Sequence, residues 1–103
     1  MFKAMILLTR REDLSPEAFR RWWLEEHGPL ASQLPGLRRM VVNIVEGGAQ
    51  DSGVDGISEL WFDSQADFEA AYATEIGKAV AADSMAHNRG RVRLFIDEHP
   101  VVG

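Results

Sequence analysis

Residues 2–9 form an apolar run of strand length, rich in Ile and Leu. Ser15-Pro16-Glu17 follows as N-cap, first-turn proline and first-turn acid, and predicts a helix start. Phe19, Trp22 and Trp23 recur at i, i+3 and i+4, so this helix buries an aromatic face. Gly and Pro end helices, so His27-Gly28-Pro29 is expected to interrupt it. A short turn over Leu30 to Leu34 then leads to Pro35-Gly36. Leu37 to Glu46 carries Met40, Val41, Val42, Ile44 and Val45 and reads as a second strand. Gly47 to Gly56 is glycine-rich and predicts a long loop; Ile57 to Phe62 is a third strand. Ser64 and Asp67 fit a capping box for a second helix, with Phe68, Ala71, Tyr72 and Ile76 on its apolar side. Gly77 predicts a break, Lys78 to Asn88 a resumed helix, and Arg91 to Glu98 a strand with Val92, Leu94 and Ile96 on one face.

The order βαββαβ is that of a ferredoxin-like, split-βαβ α+β fold occupying residues 1–103 as one domain. Its first two strands are apolar on both faces: Phe2, Ala4, Ile6 and Leu8 against Met5 and Leu7, and Val41 and Val45 against Met40, Val42 and Ile44. One layer of helices covers one face of such a sheet. Covering the other with a second copy of the chain predicts a homodimer, a dimeric α+β barrel with an apolar cavity between sheet and helices.

Composition narrows the functional classes. With 103 residues, 46% hydrophobic and 26% charged, the chain has the make-up of a small globular domain. No cysteine is present, which removes disulfides, thiolate zinc and iron–sulfur sites. A net charge of -5 opposes nucleic acid and anionic membranes as partners; Arg20-Arg21, Arg38-Arg39 and Arg89/Arg91/Arg93 are the places where a local basic groove could form. The apolar start runs into Thr9-Arg10-Arg11-Glu12-Asp13 instead of a small-residue cleavage site, so a cytoplasmic protein is expected.

Few polar groups sit in apolar surroundings. His27 ends the first helix, where the helix C-terminus favours imidazolium and burial favours the neutral ring; it is a candidate proton-transfer group or a plain helix cap. Glu59, inside Ile57-Ser58-Glu59-Leu60-Trp61, must find a partner or a raised pKa, and is a candidate base, a support for His27, or one half of an ion pair. Asp83 and His87 are spaced i, i+4, as an acid/base couple, a metal half-site or solvent-facing groups. Trp23, Met40, Asn43, Leu60 and Trp61 are candidate cavity-lining residues for a small hydrophobic molecule. Three scattered histidines without a two-histidine motif predict no metal, and no cofactor is called for. The Gly47–Gly56 loop is a candidate lid.

Ser15-Pro16-Glu17-Ala18-Phe19, His27-Gly28-Pro29-Leu30-Ala31, Leu34-Pro35-Gly36-Leu37 and Glu59-Leu60-Trp61-Phe62, continued by Asp83, resemble the EthD-like family of dimeric α+β barrels, named for ethyl tert-butyl ether degradation. The resemblance implies the split-βαβ homodimer and, at His27, a histidine associated with the site. It includes a methylmuconolactone methylisomerase, but Met40 stands where a tyrosine is common, Leu60 where that isomerase has a cysteine, and its second histidine has no counterpart in residues 47–56. The expected function is a cofactor-independent catabolic or tailoring enzyme moving a proton through His27 on a lactone, phenol or polyketide-like ring, with Glu59 or Asp83 as orienting group. The alternatives are a non-catalytic binding or accessory protein, and a haem-handling or monooxygenase-like barrel with His27 or His87 as haem ligand.

Overall fold

The computed structural model describes residues 1–103. Strands β1 (Phe2–Arg10), β2 (Arg39–Ile44), β3 (Gly56–Phe62) and β4 (Asn88–Ile96) form one antiparallel sheet in the order β2-β3-β1-β4. The helical segments are α1 (Pro16–Arg21), a π-helical turn (Trp22–His27), α2 (Gly28–Ala31), α3 (Gly48–Ser52), α4 (Gln65–Tyr72) and α5 (Glu75–His87). This is the ferredoxin-like α+β fold predicted from the element order. No helix is long and apolar enough to cross a membrane.

Register decides which residues meet the helices. Ala4 faces Leu60, Ile6 faces Ser58 and Leu8 faces Gly56, while Met40, Val42 and Ile44 of β2 join the same side. These pack with Phe19, Trp22, Trp23, Ala31, Leu34, Phe68, Ala71 and Val80 into the core. Because successive side chains alternate, Lys3, Met5 and Leu7, Val41 and Asn43, Ile57, Glu59 and Trp61, and Val92, Leu94 and Ile96 occupy the opposite, open face. Val92 and Leu94 are among the exposed large hydrophobics there.

The local signals for helix starts hold. Ser15 Oγ accepts from the Ala18 N–H, and Ser64 Oγ from the Asp67 N–H. Four expectations change. His27-Gly28-Pro29 does not end the helix: the chain widens into a π turn in which the Gly28 N–H reaches back to the Trp23 carbonyl, then continues as α2. The wide turn accommodates Pro29, which has no N–H and whose ring collides with the carbonyl four residues back in an α-helix. The helix break falls before Thr74, which caps α5 by accepting from the Gly77 N–H. Gly77 lies inside α5, where the close Ala71 carbonyl oxygen, 2.2 Å from where a Cβ would sit, leaves room only for glycine. The predicted loop after β2 contains α3, bracketed by Gly47 and Gly53 at φ 79° and 84°, a region glycine enters without strain. The last strand starts at Asn88, before the alternation becomes visible.

Gly56 matters to the cavity described below. A Cβ there would sit 2.0 Å from Cζ3 of the fully buried Trp23 ring. Gly56→Ala is expected to cost about 1–3 kcal/mol through overpacking, with urea unfolding followed by tryptophan fluorescence as the measurement; unchanged stability would mean that the Trp23 ring is free to move.

Candidate active site

The π turn and α5 bring a histidine and an aspartate together across 56 residues of sequence. His27 Nδ1 lies 2.8 Å from Asp83 Oδ2, and the Trp22 indole N–H donates to the same oxygen at 3.1 Å. His87 Nδ1, one turn further along α5, donates to the Asp83 carbonyl oxygen at 2.8 Å. The His87 ring stacks on Trp22 with centroids 4.4 Å apart and planes 16° apart. Asp83 is thus gripped from two elements, and it in turn orients the His27 ring.

Protonated Nδ1 facing Asp83 leaves Nε2 as the lone-pair nitrogen of a neutral His27. Burial pushes the His27 pKa down; the Asp83 hydrogen bond and charge pull it up, while Arg91 and His87 push it down further. The net direction is down, so the ring is neutral at pH 7 and able to accept a proton. His27 lines a cavity walled by Ile6, Leu8, Trp23, Ala31, Met40, Leu60 and Val80, with Ser58, Ser84, Tyr72 and Arg91 as its other polar groups. Its free space is about 10 Å³, roughly one water, so an organic occupant must displace side chains. Met40 is the most readily repacked of the apolar ones. Burial also holds the Tyr72 phenol above its ordinary pKa, against the pull of Arg91 and Arg93.

The sequence candidates divide between the two faces of the sheet. His27, Asp83, Trp23, Met40 and Leu60 come together around the cavity. Glu59, Asn43 and Trp61 lie on the open face, because β3 alternates and Leu60 takes the inner position. Of the two groups expected to orient His27, Glu59 or Asp83, it is Asp83 that the fold brings to the ring. Glu59 is bound to Lys3 Nζ at 2.7 Å and accepts from Asn43 Nδ2 at 2.9 Å, while Glu98 bonds Lys3 at 2.8 Å and accepts from the Trp61 indole at 3.0 Å. The bonds from Lys3 and Asn43 outweigh partial burial and hold the Glu59 carboxyl below its ordinary pKa. Burial of Lys3 opposes its charge, and its two carboxylate partners raise its pKa overall.

The glycine-rich segment does not act as a lid over His27. Asp55 accepts from the Arg10 and Ala49 N–H groups and fixes α3 at another edge of the molecule; none of residues 47–53 lines the cavity. Tyr72, Ser58 and Ser84 are not among the cavity candidates read from the sequence, and Arg91 appears there only as part of a possible basic groove. Arg91 looked like the polar side of an alternating strand, and only its pairing with Leu8 reveals that this side faces the helices.

The EthD domain model matches residues 11–87, a stretch that contains His27, Asp83 and His87. The chain belongs to the EthD family. The EthD chain is 30% identical over 87 residues to the 4-carboxymethyl-4-methylbutenolide mutase of Pseudomonas reinekei, covering 77% of this chain and 80% of that one. It is 31% identical over 110 residues to an uncharacterized 11.0 kDa protein of the thcB-thcC intergenic region of Rhodococcus erythropolis, covering 99% of both. Among solved structures, an EthD family protein of Bacillus halodurans superposes with a TM-score of 0.81 at 26% identity, covering 96% of this chain and 100% of that one. A dimeric ferredoxin-like protein of Thermobifida fusca, at 16% identity and TM-score 0.75, shares the fold over 92% of this chain and 88% of that one. The EthD chain is therefore related to a mutase, and its ferredoxin-like neighbours include dimers.

In an NMR titration of the imidazole resonances, His27 should show a midpoint below its ordinary 6.5. Asp83→Asn should lower it further, since burial then acts without the opposing charge; a midpoint above 6.5 in the parent would contradict the geometry. Because the folded pKa is depressed, the unfolded chain binds the proton more readily. The His27 contribution is therefore complete above pH 6.5 and is lost as pH falls through the folded midpoint. Unfolding at stepped pH, compared between the parent and His27→Gln, measures that loss.

Proposed function

We propose that the EthD chain is a cofactor-independent enzyme that moves a proton on a small hydrophobic ring compound of the lactone, phenol or polyketide-like class, with residues 1–103 acting as one barrel domain. The observation that carries this reading is the His27–Asp83 pair in a desolvated wall: Nδ1 is occupied by a carboxylate, which puts the lone pair of the neutral ring on Nε2, and the ring is part of the cavity wall. His27 Nε2 takes a proton from the carbon beside a carbonyl, or from a ring hydroxyl. Asp83 stabilises the imidazolium that results, and the proton returns at another position to complete an isomerisation. The apolar walls keep water from competing for the enolate. Kinship with a mutase supports this class of reaction.

The Met40 and Leu60 side chains support a second reading, a binding or accessory protein with the same pocket. They place inert groups beside His27.

The two readings part in deuterated water. Incubating γ-butyrolactones, cyclic enones and resorcinol-type phenols with the protein and following carbon-bound deuterium by NMR should reveal protein-dependent exchange. His27→Ala should lower it by about 10²–10⁴-fold, with Asp83→Asn also slowed. Exchange no faster than the uncatalysed rate across the panel, or equal rates in His27→Ala, would reject the catalytic reading.

We further propose that the open sheet face is covered by a second copy of the chain. Val92 is 53% and Leu94 40% exposed, beside Met5, Leu7 and Ile57, an apolar area too continuous to be left to water. Relatives of the same fold that are dimers support this. Sedimentation equilibrium should give a dimer for the parent and a shift to monomer for Leu94→Glu; a monomeric parent at tens of micromolar would overturn it.

A further inference from the structure

Arg91 is a guanidinium on the inner side of β4, in the wall of the His27 cavity. It makes no salt bridge; Arg10, at the end of β1 and away from this cavity, approaches Asp55 at 3.4 Å, yet its Nε too is buried without a hydrogen-bond acceptor. The Arg91 Nε is buried with no acceptor. A second donor of the same wall has the same deficit: the indole Nε1 of the fully buried Trp23 has no acceptor either. Buried donors are normally paired, and an unpaired one costs about 1–3 kcal/mol. Two in one cavity wall, one of them cationic, leave a demand for acceptor oxygens and negative charge that the chain itself does not meet.

Resting on the proton-transfer reading of the same cavity, we propose that Arg91 is its anion-recognising residue, and that the substrate carries a carboxylate on or beside its ring. The carboxylate accepts from the guanidinium, for which a planar two-oxygen acceptor is the natural partner. The ring lies against the apolar wall with its reacting carbon toward His27 Nε2. Arg91 also explains how a cavity with so little free space opens. Its long, unpaired side chain has no protein bond to break when it swings onto an incoming acid, and Met40 repacks beside it. Arg91 lies outside residues 11–87, the stretch that carries the family match.

The test compares acids with uncharged analogues of the same shape: 5-oxotetrahydrofuran-2-carboxylate with its methyl ester, and benzoate with benzamide. Binding is followed by quenching of tryptophan fluorescence at pH 7.5. The acids should bind the parent at least ~10-fold more tightly than their partners, about 1.4 kcal/mol. Arg91→Gln should abolish that preference while leaving the neutral analogues unchanged, and Arg91→Lys should recover part of it. His27→Gln should keep the acid preference, so an Arg91-dependent preference without deuterium exchange would leave the anion site standing and remove the proton-transfer role. Exchange on neutral lactones that is equal in the parent and Arg91→Gln, with no acid preference, would do the reverse. Equal binding of acids and neutral analogues, no binding of either acid, or equal weakening of both classes by Arg91→Gln overturns the proposal. A thermal melt of each variant within a few degrees of the parent confirms folding, and Arg91→Lys keeps the test decisive if Arg91→Gln fails to fold.

Discussion

The Asp83 carboxylate does what the apolar core cannot. Packing of Trp22, Trp23 and Phe19 against the sheet is strong but indifferent to direction, so it holds the first helical run against the molecule without specifying which way a particular ring points. A carboxylate accepting from an imidazole at 2.8 Å and an indole at 3.1 Å is directional. It locks the rotation of the π turn relative to α5 and assigns the proton of His27 to Nδ1. Without it the cavity would still be apolar, but the basic nitrogen would have no defined aim. His87 stacks on Trp22 and bonds the backbone of Asp83, and so steadies the carboxylate from behind.

The sheet divides the polar residues between two uses. On the inner face an incomplete set, with a lone-pair nitrogen, a guanidinium and three hydroxyls, borders the cavity. On the outer face Lys3, Glu59, Glu98, Asn43 and Trp61 satisfy one another in a closed set. The Lys3 ammonium also sits over the Trp61 ring at 4.6 Å. A completed polar set on an otherwise apolar face suits a surface that is to be covered, because a buried charge is tolerated when each partner is already in place. An incomplete set suits a surface that is to be filled.

Much of this was legible in the chain itself. The strands announced themselves by β-branched and apolar runs, the helix starts by Ser15 and Ser64, and the histidine by its isolation among apolar residues and by its familiar His-Gly-Pro-Leu surroundings. Face assignment was not legible. A strand apolar on both sides, such as Ile57–Phe62, does not say whether Glu59 or Leu60 looks inward; only pairing with β1 decides it. The same ambiguity hid Arg91, since alternation marks two sides without naming the inner one. Gly28 and Pro29 misled because their usual effect depends on the α-helical hydrogen-bond pattern, which a π turn suspends. Gly77 misled because a glycine can serve close approach of two backbones as well as a break.

The π turn also carries a consequence for how such a site arises and varies. An α-helix advances about 100° per residue, so a single residue gained or lost upstream re-aims every side chain that follows. The wide turn at Trp22–His27 stores one residue more than a regular turn would hold. Shortening the chain there by one would let the helix close into α-geometry with its ends and its buried Phe19 face intact. It would also re-space the side chains within the turn itself, His27 among them, relative to Asp83. Within one fold, then, the difference between a poised histidine and an idle one is a matter of helical phase, adjustable by a single codon inserted or deleted, and Trp22 and Trp23 in the same turn carry that adjustment into the core.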